Sequence, residues 1–303
     1  MHVLITGGAG YLGTELVELC SFDQRITEIT IYDNLSHGRH GLFTGNRLGE
    51  CRIHFLRREL LDTRSLQKAL ETVDVVVHLA AKVSTPFASG DPHAFEQVNH
   101  WGTAELSYAI GKSNVQKVIY ASSASVYGIS DIAKTIDDTP TPNTTYGISK
   151  LNGEKMLWRL NNQKTVVIVR CANMYGYSPS LRFDAVINRF VRQAFFEGRI
   201  SIEGKGDQLR PFIHIRHAAE VFRRLITDVD QSATVNLVDK NRSILEIAGH
   251  LKELLPDLEM IFVEQDLPRT SLQVTQSPEM SDLYTYPVSF SEEIQHFVSK
   301  FRF

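Results

Sequence analysis

The chain has 303 residues, 43% of them hydrophobic and 22% charged, with a formal net charge of -3. That length can bury a large core as one big domain or two, and the composition is that of an ordinary globular protein. The slight negative balance argues against a non-specific nucleic-acid or anionic-membrane surface, and no apolar run approaches the length of a membrane span. A strand beginning at residue 2 leaves no room for a signal peptide, and three scattered cysteines (Cys20, Cys51, Cys171) suggest reduced thiols. Both point to a cytoplasmic location.

His2 to Thr6 is an apolar, β-branched run suited to a buried parallel strand. Glycines follow at Gly7, Gly8, Gly10 and Gly13, and a helical apolar pattern resumes at Thr14. Strand, glycine turn and helix start in that order make a phosphate cradle, because the helix N-terminus offers free N–H groups and the positive end of its dipole. The spacing fits both GxGxxG and GxxGxxG. A second strand, Ile26 to Asp33, ends in a carboxylate placed to accept hydrogen bonds from the adenosine ribose hydroxyls. A 2′-phosphate there would meet like charge, so Asp33 favours NAD over NADP, while Arg39 in the next loop keeps the alternative open.

Beyond a glycine- and basic-rich loop from Asn34 to Gly49, strands are expected at Cys51 to Leu56, Asp74 to Ala81, Lys117 to Ser122 and Thr165 to Arg170. Helices between them are expected from an Asp62 cap to about Glu71, from Pro92 to Lys112 and from Thr144 to Asn161. This alternation predicts an α/β fold, a doubly wound parallel sheet of Rossmann type, with a smaller C-terminal α+β unit that closes over the cofactor. The expected division is residues 1–172 for the NAD-binding domain, with 213–240 returning to it, and 173–212 with 241–303 for the substrate domain. In that tail, helices are expected near Phe183 to Glu197, Arg216 to Thr227, Ser243 to Leu255 and Phe290 to Lys300. Strands are expected near Arg199 to Glu203, Pro211 to Ile215 and Thr234 to Val238. His214 and His217 are three apart with no further ligand cluster in the sequence, so structural roles are expected and no metal site.

Chemistry concentrates in two stretches. Ser122 to Gly128 (SSASVYG) lies at the end of a strand, and Tyr146 to Lys150 (YGISK) opens the next helix. Positions i and i+4 share a helix face, so Lys150 stands one turn from Tyr146. An ammonium near a phenol lowers the tyrosine pKa from its usual value of about 10, and the nicotinamide charge would add to that. Such a tyrosine can take a proton from a sugar hydroxyl as hydride leaves the same carbon, while a serine from the neighbouring strand holds the oxygen. Tyr127 has no lysine four residues on and is read as structural.

The motifs TGGAGYLG, Asp33-Asn34-Leu35-Ser36, HLAA, SSASVYG, YGISK and RCANMYG, in this order over essentially the whole chain, resemble the extended short-chain dehydrogenase/reductase family. The closer resemblance is to its nucleotide-sugar epimerase and dehydratase branch, which includes the UDP-glucose 4-epimerases. The resemblance implies Ser123, Tyr146 and Lys150 as catalytic residues. Around NAD it implies Gly7, Gly10, Tyr11, Leu12, Asp33, Asn34, Ser36, Leu79, Ala80, Ala81 and Asn99, with Glu59 and Leu60 at the adenine end. For a nucleotide-diphosphate sugar it implies Ser84, Ser123, Asn173, Asn188, Arg210 and Arg269. The two arginines suit a diphosphate, for which a guanidinium is well shaped.

Two departures from the family pattern stand out. Arg58-Glu59 replaces the usual Gly-Asp near the adenine, and Ala124-Ser125 replaces the Asp-Glu pair with which the dehydratases remove water. The expected activity is therefore an NAD-dependent 4-epimerase working through a transient 4-keto sugar. A nucleotide-sugar dehydrogenase or 4-ketoreductase using the same residues is the alternative, ahead of a non-catalytic NAD-binding regulatory protein. The helices at 92–112 and 144–161 are apolar on more than one side, and many family members pair these helices with their mates, so a homodimer is expected.

Overall fold

The computed structural model describes residues 1–303 except 39, 46, 84–90, 264–270, 282, 284–287 and 302–303. Arg39, Ser84 and Arg269 therefore lie outside the described residues. The first half of the chain runs β1 (His2–Thr6), α1 (Tyr11–Ser21), β2 (Glu28–Asp33), α2 (Gly41–Thr44), β3 (Arg52–Arg57), α3 (Thr63–Ala69) and β4 (Val75–His78). It continues through α4 (Pro92–Phe95), a π-helical turn (Glu96–Trp101), α5 (Gly102–Gly111), β5 (Lys117–Ser123), β6 (Ser130–Lys134), α6 (Thr145–Trp158) and β7 (Thr165–Cys171).

The second half holds β8 (Asn173–Tyr175), α7 (Val186–Glu197), β9 (Arg199–Glu203), β10 (Leu209–His214), α8 (Ile215–Asp228) and β11 (Ala233–Leu237). It ends with β12 (Lys240–Ser243), α9 (Ile244–Leu254), β13 (Glu259–Val263), β14 (Leu272–Val274), α10 (Pro278–Ser281) and α11 (Phe290–Ser299).

Seven strands form one parallel sheet in the order β11-β7-β5-β4-β1-β2-β3. The order reverses between β1 and β4, and in open parallel sheets ligands bind in the crevice at that switch point, beyond the carboxyl ends of the strands. The central strands β1, β4, β5 and β7 are mainly apolar because helices cover both faces, while the edge strand β3 alternates with polar residues. One face packs Ile5, Val77 and Ile119 with Leu16 of α1 and Phe222 of α8, and the other packs Leu4, Val76 and Val118 with Leu66, Leu106 and Leu157. A separate core joins Phe190, Ile202, Phe212, Ile247 and Phe297 in the second half.

The expected strand at 234–238 does join the main sheet, as β11 beside β7. Three sequence expectations are corrected. The strand expected at 74–81 ends at His78, because Leu79 to Ala81 turn to meet the glycine loop. The expected single helix at 92–112 carries a π turn at its centre. The helix expected from Phe183 starts at Val186, after the Arg182–Asp184 pair at 2.6 Å closes the preceding turn. β6, β8, β12, β13 and β14 have no counterpart in the sequence reading.

Candidate active site

The glycine turn is built for close approach. Gly7 has φ +71, and a Cβ on it would lie 2.6 Å from the backbone nitrogen of Ala80. A Cβ on Gly13 would strike Gly7 O and come within 2.6 Å of Gly8 Cα. α1 then begins at Tyr11 with Gly10 as its N-cap, with no side-chain cap and no acidic residue in its first turn among the described residues. The first N–H groups of the helix, including those of Tyr11 and Leu12, are thus left to an anion, which fits the diphosphate of a dinucleotide.

Asp33 ends β2 at the edge of this turn. Its carboxylate accepts the N–H of Ala9 at 3.1 Å and of Leu35 at 2.7 Å, so it fixes the glycine turn and the loop after β2 together. Asn34 donates to Glu59 Oε2 at 2.9 Å, and its own oxygen accepts the N–H of Ser36. Asn34, Ser36 and Glu59 are thereby joined in one hydrogen-bonded run beside Asp33, while Leu60 is buried beside Gly102. Leu79, Ala80 and Ala81 lie across from that run at the end of β4, with Ala80 N donating to Thr6 Oγ1 at 3.3 Å.

The π turn aims Asn99 inward. The residue is 1% exposed, and its oxygen accepts the N–H of Lys82 at 2.8 Å while its amide donates to Lys82 O and to Ser149 Oγ. Asn99 thereby ties the strand β4 exit to α6, on which Tyr146 and Lys150 stand. Thr144 caps this helix through the Gly147 N–H. Lys150 is buried, donates to Ala121 O at 2.6 Å and lies 4.5 Å above the Tyr120 ring. Burial draws its pKa down to about 8.

For Tyr146 the structure corrects an expectation. Burial raises its pKa, opposed by a hydrogen bond with Ser123 and by the charge of Arg182. The Lys150 ammonium is turned to the Ala121 carbonyl. Ser123 caps the turn of Ala124–Tyr127 and donates to Ser125 Oγ at 3.1 Å.

On the substrate side, the segment after β8 is laced to the glycine turn. Tyr11 donates its hydroxyl to Gly176 O at 2.6 Å, Ser178 to Tyr11 O, and Ser180 to Ala9 O. Asn188 is fully buried, and its amide braces this segment through Tyr11, Arg182 and Gly176. Asn173 is exposed and donates to Pro211 O at 3.0 Å. Arg210, on β10, lies directly opposite Arg242 of β12 in the antiparallel register. Arg242, which the sequence reading missed, stacks 4.2 Å from the Phe290 ring.

Also missed was a buried polar layer beneath the site, of Ser122, Glu154, Arg170, Tyr127 and Asn236. A charged residue near the end of the otherwise apolar run TVVIVR was its sequence signal. Tyr127 has the structural place expected for it, donating to Asn236 Oδ1 at 2.8 Å.

His214 and His217 gain a third neighbour in Glu293 of α11, their polar atoms lying within 4.8 Å of one another. His214 Nδ1 accepts the N–H of Arg216, which leaves its proton on Nε2 against Gly176. A metal-ligating nitrogen must be bare. Tyr175 donates to Glu293, whose carboxyl burial pushes up to about 7, while burial holds His214 near 3 and His217 near 4. Tyr175 of β8 is thus hydrogen-bonded to Glu293 of α11, and His214, His217 and Glu293 face one another in the interior.

A parallel sheet in this strand order, with an uncapped glycine turn and a Tyr–Lys pair beside it, defines a dinucleotide-dependent enzyme of Rossmann type. Residues 3–238 match the NAD dependent epimerase/dehydratase family, and the chain belongs to it. It is 31% identical to an uncharacterized UDP-glucose epimerase, YtcB, of Bacillus subtilis, over 84% of this chain and 82% of that one. It is 28% identical to a UDP-N-acetyl-alpha-D-glucosaminuronate decarboxylase of Bacillus cytotoxicus, over 99% and 97%. Among solved structures, the UDP-glucuronic acid 4-epimerase of Bacillus cereus, in complex with UDP-glucuronic acid and NAD, matches with a TM-score of 0.86. That match is at 26% identity and covers 99% of this chain and 98% of that one. The protein is therefore an NAD-dependent enzyme of a family that includes nucleotide-sugar epimerases, dehydratases and decarboxylases.

Proposed function

We propose that the protein is a nucleotide-sugar 4-epimerase. The observation that carries this reading is the placement of Tyr146 against Ser123, one turn from Lys150, with Ala124 and Ser125 where a dehydratase needs an acid and a base. The α1 N-terminus and Asp33 would hold NAD, which would supply hydride acceptance and return. Tyr146 takes the C4 hydroxyl proton and gives it back, Ser123 orients the C4 oxygen, and the buried Lys150 places a positive charge one turn from Tyr146. The 4-keto sugar turns over between the two half-reactions. The substrate diphosphate pairs with Arg210 and Arg242, which stand opposite each other in the register of β10 and β12 and whose guanidiniums suit a diphosphate. Asn173 borders this groove, while Asn188 shapes it from behind; Ser84 and Arg269 complete the set that we assign to substrate.

The test is incubation of the purified protein, without added cofactor, with a panel of nucleotide sugars resolved by chromatography. Interconversion of one C4-epimeric pair supports the reading, and a product lacking water or carbon dioxide overturns it. Asp33 is assigned to the adenosine ribose, so Asp33→Ala should raise the NAD dissociation constant by about tenfold, the worth of a hydrogen bond to a charged group, and narrow the preference against NADP. Equal affinity of the parent for both cofactors in a calorimetric titration would refute the assignment.

We further read the protein as a cytoplasmic homodimer. No helix among the described residues is long and apolar enough to cross a membrane, and all three cysteines are free thiols. Phe95, Leu106, Ile110 and Leu157 are buried under α4, α5 and α6, yet Trp101 of the π turn, Tyr108 of α5, and Ile148 and Trp158 of α6 stand 40–56% exposed. A second copy covering this apolar side is the reading we favour. Sedimentation equilibrium at micromolar concentration should return twice the 34.2 kDa chain mass, and Trp101→Glu should return the single mass. A parent that sediments as a monomer with NAD bound would dispose of the dimer.

A further inference from the structure

Glu154 stands on α6 one turn beyond Lys150 and two beyond Tyr146, so all three share a helix face. It is 5% exposed. Its carboxylate takes the Arg170 guanidinium at two points, Nε at 3.1 Å and Nη2 at 2.9 Å, and the Ser122 hydroxyl as well. Ser122 and Arg170 face each other in the register of β5 and β7. They immediately precede Ser123 and Cys171, and Ser122 immediately follows Ala121, the acceptor for Lys150. One carboxylate thus fastens α6 to both strands at the level of the reacting groups. The layer runs on from Arg170 to Tyr127 and from Tyr127 to Asn236, which adds β11. Buried ion pairs are seldom a net source of stability over apolar packing, so the effect of this one is to fix geometry.

The geometry points to Glu154 as a positioning residue for the reaction: it sets the rotation and depth of α6, and it is the anion that faces Lys150. This rests on the reading of Tyr146 and Lys150 as the reacting pair. The titratable groups around Lys150 are His78 from β4, Tyr120 from β5, Cys171 from β7, and Tyr146 and Glu154 from its own helix. Burial holds His78 neutral with a pKa of about 3, raises the Cys171 thiol to about 12, and raises both Tyr120 and Tyr146. Glu154 is then the one carboxylate of this ring among the described residues; after Cys171, it is what opposes the burial that brings Lys150 down to about 8. Loss of that negative charge lowers the lysine further, so the ammonium is lost at lower pH.

The experiment measures turnover of the active nucleotide sugar by the parent, Glu154→Gln and Tyr146→Phe from about pH 6 to 10, beside NAD titration and thermal unfolding. Glu154→Gln should lose about tenfold to hundredfold in kcat, the range set by small misplacement of reacting groups. Its KM and NAD affinity should stay close to the parent's, and the alkaline limb of its pH profile should move to lower pH. If the stranded Arg170 unfolds that variant, the double variant Glu154→Gln with Arg170→Met removes both charges and should move the limb in the same direction by a smaller amount, because the loss of the arginine's positive charge offsets part of the effect. A folded variant with the parent's kcat and the parent's alkaline limb overturns the inference alone, provided Tyr146→Phe is inactive. A fully active Tyr146→Phe overturns the underlying reading and this inference with it.

Discussion

Tyr146→Phe folds, binds NAD as the parent does, and loses turnover by about 10²–10⁴-fold, the usual contribution of a positioned acid–base group. The substitution deletes one oxygen from a half-buried ring packed near Phe95, at 6.1 Å between centroids, so the helix and its packing are retained. Tyr146 is one of the residues on which the proposed chemistry places a proton. Ser123 is placed to orient the C4 oxygen, and Lys150 donates to Ala121 O. Steady-state kinetics with the active substrate checks the size of the loss, and calorimetry checks that NAD binding is intact. A variant within a few-fold of the parent would mean that another group moves the proton.

The second large effect is at Gly13, and it is one of structure. A Cβ there meets Gly7 O and lies within 2.6 Å of Gly8 Cα, both backbone atoms that cannot move aside without opening the turn. Gly13→Ala should lower stability by about 3 kcal/mol, the upper end for overpacking, and abolish NAD binding at micromolar protein. Gly249→Ala is the control, because nothing lies within 4 Å of a Cβ on that helical glycine. Thermal unfolding with and without NAD checks both. A Gly13→Ala protein that NAD still stabilises would show that the first turn of α1 is not where the diphosphate sits.

The first half of the fold was legible because a strand covered on both faces must be a short apolar run, and TVVIVR or DVVVHLAA has few other readings. The glycine turn, the Asp33 terminus and the Tyr146–Lys150 spacing were legible for the same reason, since each is a local pattern. What escaped is what sequence neighbours do not determine. β8 has three residues, β13 is exposed along its whole length, and β14 pairs with β6 from 142 positions away in the Ser130–Leu272 register. Such strands exist through their partners and carry no strong alternation of their own.

The site divides in the same way. Resemblance placed Asn188 at the substrate, yet its amide is engaged with Tyr11, Arg182 and Gly176, contacts that only the folded chain brings together. Arg242 and Glu154 passed unnoticed because their partners, Arg210 and Arg170, are joined to them by register and packing. The rise in the Tyr146 pKa escaped because it comes from burial, which the i, i+4 spacing of Lys150 does not report.

The central claim is that hydrogen leaves C4 of the sugar and returns to the same carbon within one protein molecule. The direct measurement uses the active nucleotide sugar labelled with deuterium at C4, incubated with the purified protein in ordinary water without added NAD, the products analysed by mass spectrometry and NMR. Both C4 epimers should form and both should carry the full label at C4, with no accumulation of reduced cofactor. Loss of the label to solvent, or its transfer to released NADH with a ketone left on the sugar, would contradict the account.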